Sequence, residues 1–381
     1  MNLLLVFDSF KGSLAAETAC EIARQTLAHH SRPFTITSLP LGDGGEGTIY
    51  AILHALHGEW IPRNVHGPLP GQTVTAGYGL VPPASPSDAP TALIELATAA
   101  GLPLLESTQR NPLLTTTYGV GELIKQTLHH HPREILLAVG GSATVDGGTG
   151  AAAACGWRFI DRHGRDLQPC GGVLSAIHDL LPPPSAPPLP PLRILCDVTN
   201  PLLGPLGAAP VFAPQKGATP EHVQRLEDGL AHLAHIVHTR LGLNIASLPG
   251  GGAAGGFAAG ATAWFGASLV SGIDTVLDLL PFHHACRHAH WLLTGEGSFD
   301  SQSLHGKVID GLIRRARSIN PTIRIAVLAG RIGLAETQWT AAGIDYAAPV
   351  TPRNMSLDEA LRHAPALFAH AVRRWADQLP S

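Results

Sequence analysis

Short apolar runs alternate with helical periodicities at both ends of the chain. Leu3-Leu-Leu-Val-Phe7 is unbroken by a polar residue and stops at Asp8, the pattern of a strand covered on both faces. A helix is predicted from about Ser13 to His29, with Ser13 as its N-cap. Phe34–Leu39 predicts a second strand, and beyond a glycine loop Ile49, Ile52, Leu53 and Leu56 recur at helical spacing. The far end repeats the alternation, with strands over 290–293, 323–328 and 344–350, helices over 307–318 and 334–341, and a closing helix over 356–377. Strands and helices in alternation imply a parallel sheet covered by helices, and such sheets bind ligands beyond the carboxyl ends of their strands.

The middle of the chain has a different texture. Proline-rich segments over 81–90 and 181–191 read as exposed linkers, strands are predicted near 91–96, 134–139 and 193–196, a hairpin through Trp157–Gly164, and a small-residue helix over 252–265. The expected fold is therefore α/β: a discontinuous Rossmann-like parallel-sheet domain made from residues 1–62 and 283–381, with a second α/β domain, residues 63–282, inserted between its halves. No internal repeat is evident.

Composition narrows the partners. A formal net charge of −4 over 381 residues, with no run of Lys and Arg, leaves no footprint for nucleic acid or an anionic membrane. No apolar run reaches the length of a membrane span, and the start lacks a basic leader, so a cytoplasmic protein is expected. The five cysteines are scattered without a CxxC pair, and the 21 histidines show no ligand spacing, so neither a disulfide framework nor a zinc site is indicated. Only four basic residues are lysines, against 21 arginines, and three of them (Lys11, Lys216, Lys307) sit in glycine or polar loops, where a compact ammonium does what a guanidinium cannot.

Three loops rich in glycine and acids carry the candidate chemistry. Gly42-Asp-Gly-Gly-Glu-Gly47 matches the dinucleotide fingerprint GxGxxG, but Asp43 and Glu46 would repel a bare pyrophosphate, so a sugar, hydroxy acid or metal-bound ligand fits better. Gly140-Gly-Ser-Ala-Thr-Val-Asp-Gly-Gly148 follows an apolar strand, and its glycines and hydroxyls suit oxyanions at a helix start. The stretch from Thr294 to Lys307 concentrates Glu296, Asp300, Ser301, Gln302, Ser303 and Lys307. Besides these, Asp197 and Asn200 stand at a strand end, where oxygen donors suit Mg²⁺ or a substrate hydroxyl, and Lys216 precedes a helix capped by Thr219. The glycine run from Leu248 to Phe257 reads equally as hinge, phosphate loop or close helix contact. No GxxxxGK[ST] loop occurs, so a nucleotide would need another cradle. Cations, donors and carboxylates together are what phosphoryl transfer requires.

Seven segments, Asp8–Ser13, Asp43–Thr48, Asn111–Glu122, Gly140–Gly148, Cys196–Gly204, Pro214–Gly217 and Thr294–Lys307, taken in this order over nearly the whole chain, resemble the bacterial glycerate kinase family, type I. Val145, where Asn is expected, and Ser298-Phe299, where a basic residue is frequent, depart from that pattern. The resemblance implies phosphorylation of D-glycerate by ATP with Mg²⁺, with 2-phosphoglycerate favoured over 3-phosphoglycerate as product, and a site in the cleft between two α/β domains. It implies Asp197 or Asp8 facing the glycerate hydroxyl with Lys11 beside them in catalysis, and Ser9, Asp43, Gly44, Gly45, Glu46, Asn200 and Ser303 around the substrate. Gly140, Gly141, Ser142, Thr144, Lys216, Glu296 and Lys307 would serve the nucleotide, and Asp146 and Asp300 the metal. A homo-oligomer is compatible with all of this. A kinase for another small hydroxy acid, a non-catalytic sensor of organic acids or nucleotides, and a dinucleotide-dependent oxidoreductase are the rival readings.

Overall fold

The computed structural model describes residues 1–10, 12–42, 47–83, 85, 88–184, 188–304 and 308–379. The chain divides into two compact units, one of residues 1–43, 50–56 and 273–381, the other of residues 44–49 and 57–272.

In the first unit the strands Asn2–Phe7, Thr35–Ser38, Trp291–Gly295, Arg324–Ala329 and Tyr346–Pro349 form a wholly parallel sheet. Numbered by their order in the unit, they lie 2-1-3-4-5 across it. This is the flavodoxin-like doubly wound order, with its switch point between Asn2–Phe7 and Trp291–Gly295. Leu3, Leu5 and Phe7 join one apolar cluster, while Leu4 and Val6 on the opposite face are equally buried. Both faces of the strand are thus covered, as its unbroken apolar run requires. The cluster is completed by helices Ala16–Ala28 and Ala364–Asp377 through Ala23, Leu27, Phe368 and Trp375.

Two local expectations are corrected here. The helix after the first strand is capped by Ala15, not Ser13, whose hydroxyl instead donates to the carbonyl of Phe10 within a tight turn. The closing helix is two helices, Leu357–Arg362 and Ala364–Asp377, interrupted at His363. Pro365 supplies the physical reason: lacking an N–H, it fits the first turn of a new helix but not the interior of a continuous one.

The second unit is built on a mixed sheet ordered Ser268–Val270, Leu192–Leu195, Glu134–Ala138, Thr91–Glu95, Thr73–Val81 and Glu59–His66. The first four are parallel, and the last two add an antiparallel hairpin at one edge. Helix Tyr118–Thr127 covers this sheet through Val120, Leu123 and Ile124. A second cluster gathers around the long helix Pro220–Leu241, whose Leu226, Leu230, Leu233 and Val237 recur at helical spacing. The expected hairpin within Trp157–Gly164 is reduced to a turn closed by an Ile160–Asp166 bridge, and Arg158–Ile160 pairs instead with Asp179–Leu181. Turn residues mark where a chain reverses but not which strand it meets.

The C-terminal helix is the cover on which the first unit's sheet depends. Trp375, 1% exposed, sets its ring edge-on to Trp291 at 5.6 Å. Replacement of Trp375 by Ala is expected to destabilise the first unit by about 3–5 kcal/mol, read from the urea midpoint of that unit's unfolding.

Candidate active site

Parallel strands carry their following loops to one edge of a sheet, and each unit has candidate residues along that edge. In the first unit, Asp8 follows Phe7 and Glu296 follows Gly295, residues that are register partners across the switch point. The Asp8 N–H donates to the carbonyl of Gly295 at 3.3 Å, and the Ser9 N–H donates to Asp8 Oδ1 at 2.7 Å. Asp8 is held 8% exposed. Beyond Glu296 the chain makes a compact turn: Asp300 N–H donates to Ser303 Oγ, Ser303 N–H returns to the Asp300 carbonyl, and the Ser303 hydroxyl reaches the carbonyl of Ser298. Ser303, expected around the substrate, is 2% exposed, and its side chain organises this turn.

In the second unit, the strand ends supply Glu95, Gly140, Asp197 and Ser271. Asp197 is half-buried, and its Oδ1 accepts from the Ser271 hydroxyl at 3.1 Å and from the Gly272 N–H at 2.9 Å. Those two donors fix the carboxylate in one orientation. Asn200 donates from Nδ2 to the carbonyl of Leu206, closing the loop that follows.

The 140–148 loop differs from its expected form. Gly140 and Gly141 reach solvent, but Ser142, Thr144 and Asp146 are buried. Lys216 is itself 2% exposed, and its ammonium donates to Ser142 Oγ at 2.7 Å and to the Thr144 carbonyl at 2.8 Å. Asp146 accepts from the N–H groups of Thr117, Gly148 and Gly150 and from the Thr117 hydroxyl. Lys216 and Asp146, expected at the nucleotide and the metal, both bond the loop from within, Asp146 through four protein donors. Burial pushes the Asp146 carboxyl up, opposed by the donors from Thr117, Gly148 and Gly150. It drives Lys216 down to about 7, against the pull of Asp146.

The glycine run left open by its sequence resolves as a close contact. Gly255 has φ +66°, and a Cβ there would lie 2.0 Å from the Thr144 carbonyl oxygen. Its own carbonyl accepts from Gly147 N–H, and Trp264 Nε1 donates to the Gly147 carbonyl. Lys11, Asp43, Gly44, Gly45, Glu46 and Lys307 lie outside the described residues.

Comparison with known proteins decides the family. The sequence model of the glycerate kinase family matches residues 3–379. The chain belongs to that family. A glycerate kinase of Halalkalibacterium halodurans is 38% identical over 379 residues, 99% of this chain and 98% of the relative. The glycerate 2-kinase of Escherichia coli K12 is 37% identical over 383 residues, spanning 100% and 98%. Among solved structures, a protein provisionally named glycerate kinase 2, from Salmonella typhimurium LT2, superposes with a TM-score of 0.84 at 37% identity, covering 99% of this chain and 97% of its own.

Within this glycerate kinase, one carboxylate escaped the sequence reading. Glu95 ends a strand buried along its whole length, is 2% exposed, and accepts from the Gly47 N–H at 3.0 Å. Its signal was an acid closing an otherwise apolar strand, a position where a buried charge needs a specific partner. It holds Gly47, the last residue of the first glycine loop.

The lysine anchor has a consequence for pH. Above about 10.5 the Lys216 amine is neutral whether folded or unfolded; as pH falls toward 7 the unfolded chain takes up a proton that the folded chain refuses. Its contribution to stability is therefore present at high pH and fades through that window. A neutral amine keeps two N–H donors, enough for Ser142 and Thr144. Relative to Lys216→Met, the wild-type stability should rise between about pH 7.5 and 9.5 by on the order of 1 kcal/mol per pH unit. Urea midpoints of both proteins across this range would check it, and a constant difference would mean that the amine titrates normally.

Proposed function

We propose that this protein transfers the γ-phosphoryl group of ATP to the C2 hydroxyl of D-glycerate, giving 2-phosphoglycerate, with Mg²⁺ as the required cation. The observation that carries the reading is the family match over residues 3–379; the 37% identity to the Escherichia coli glycerate 2-kinase favours the C2 position. Asp197 is the carboxylate that takes the hydroxyl proton. Its support is a fixed orientation set by Ser271 and Gly272, a half-buried setting, and a place at a parallel strand end. Gly140 and Gly141, the solvent-reaching part of the anchored loop, offer backbone room to an oxyanion. Lys11 and Lys307 are assigned to phosphate or substrate charge on their sequence setting alone.

Among the described residues no three His, Cys, Asp or Glu side chains cluster to hold a metal ion. Magnesium that arrives with a nucleotide needs only one or two carboxylates beside phosphate oxygens and water, so the residues present fit it. Asp8 and Asp300 would hold it, and it would neutralise charge on the transferred phosphoryl group. A cytoplasmic setting is favoured by five cysteines that all remain free thiols, and no described helix is long and apolar enough to cross a membrane.

Incubation with Mg-ATP and D-glycerate should yield ADP and a phosphoglycerate whose phosphorus NMR signal identifies the C2 ester. A C3 ester would overturn the regiochemistry, and no turnover would overturn the activity. Asp197→Ala should lower kcat by at least about a hundredfold with little change in thermal midpoint. Near-normal kcat would remove Asp197 from proton transfer.

A further inference from the structure

A groove in the first unit remains without a task. It encloses about 270 Å³ and runs along the carboxyl edge of the parallel sheet, where the chain leaves four of its strands at Phe10, Gly297, Gly330 and Val350. Its far wall is the short helix Leu357–Arg362 with the start of the helix that follows. Leu357 and Leu361, one helical turn apart, both line it and are 58% and 36% exposed. Two leucines on one face, left open beside a concave apolar floor, are not explained by the packing of the core.

We propose that this groove takes the purine base of the nucleotide. The inference rests on the kinase reading above and adds to it the place where the donor is held. Four observations converge. First, the groove lies on the strand-end edge of a doubly wound sheet, on the same edge as the switch-point residues Asp8 and Glu296, where folds of this order bind ligands. Second, its volume falls just below the roughly 300–1,000 Å³ of pockets that enclose a whole small-molecule ligand, a size for one flat heterocycle with the sugar and phosphates outside. Third, its lining combines apolar walls with a few polar groups. Ser13 is among them, and because its hydroxyl proton is spent on the Phe10 carbonyl, its oxygen presents an acceptor, as an exocyclic amino group requires. Fourth, Arg331 lines the groove, is exposed, and among the described residues pairs with no carboxylate, leaving a guanidinium for phosphate. The chain has no Walker-type loop, so base and phosphates must be held by other means.

The test measures binding directly. Leu361→Asp places a charge on the groove wall at a solvent-reaching position. Titration calorimetry with the non-hydrolysable ATP analogue adenosine 5′-(β,γ-imido)triphosphate and Mg²⁺ should show its Kd raised at least tenfold, with D-glycerate affinity and thermal midpoint unchanged. An unaltered nucleotide Kd in the folded variant would overturn the groove assignment. Photolabelling of the wild-type protein with 8-azido-ATP, mapped by mass spectrometry, gives an answer independent of any variant. Label on peptides from 350–367, suppressed by excess ATP, is the expected result, and suppressible label confined to residues 57–272 overturns it. In either of those cases the wild type still phosphorylates D-glycerate, whereas a wild type that neither binds nucleotide nor turns over sinks the kinase reading along with the groove.

Discussion

A parallel strand delivers its chain to the same sheet edge every time, and that directional constraint organises each unit of this protein. It brings Asp8 and Glu296 to adjacent positions although 287 residues separate them in sequence, because Phe7 and Gly295 are register partners. In the second unit it lines up Glu95, Gly140, Asp197 and Ser271 at the ends of four successive strands. Chemistry that needs carboxylates, glycines and hydroxyls at close quarters can be assembled this way from loops that are individually short. The helices serve that edge indirectly, by burying both faces of the strands so that their ends are fixed.

Holding a glycine-rich loop still is a separate problem, and here it is met from beneath. Glycines cost entropy to order, so the 140–148 loop needs contacts that hold its backbone. Lys216 and Asp146 provide them, each buried and each bonded to backbone as well as to a hydroxyl. Gly255 and Trp264 press against the same loop from the 248–265 segment. Lys216 and Asp146 thus fix the backbone of the loop to which Gly140 and Gly141 belong.

Periodicity located the five strands of the first sheet and three of the four parallel strands of the second, because a strand covered on both faces reads as an apolar run, as Leu3–Phe7 and 135–138 do; it missed Ser268–Val270, a three-residue strand at the sheet's edge. It did not locate the edge hairpin Glu59–His66 and Thr73–Val81, whose outer strand is mostly exposed or half-buried and carries no such run. Likewise the break at His363 is a local event that helical spacing alone, continuous through Ala360, Ala364 and Phe368, does not register. The acids were legible as acids. Asp197 stands at its strand end as expected, and the burial of Asp146 and Ser303 among protein donors and acceptors is not legible in their sequence setting.

What the sequence determined by itself was therefore the α/β alternation, the placing of glycine-rich loops at strand ends, and a family membership that rests on ordered motifs. Tertiary structure decided which polar residues of those loops meet solvent. The physical reason is that burial belongs to a position in three dimensions: Lys216 and Asp146 sit in motifs indistinguishable in polarity from Asp197's, and only the packing of segments 110–117, 214–217 and 248–265 around the 140–148 loop buries them against its backbone.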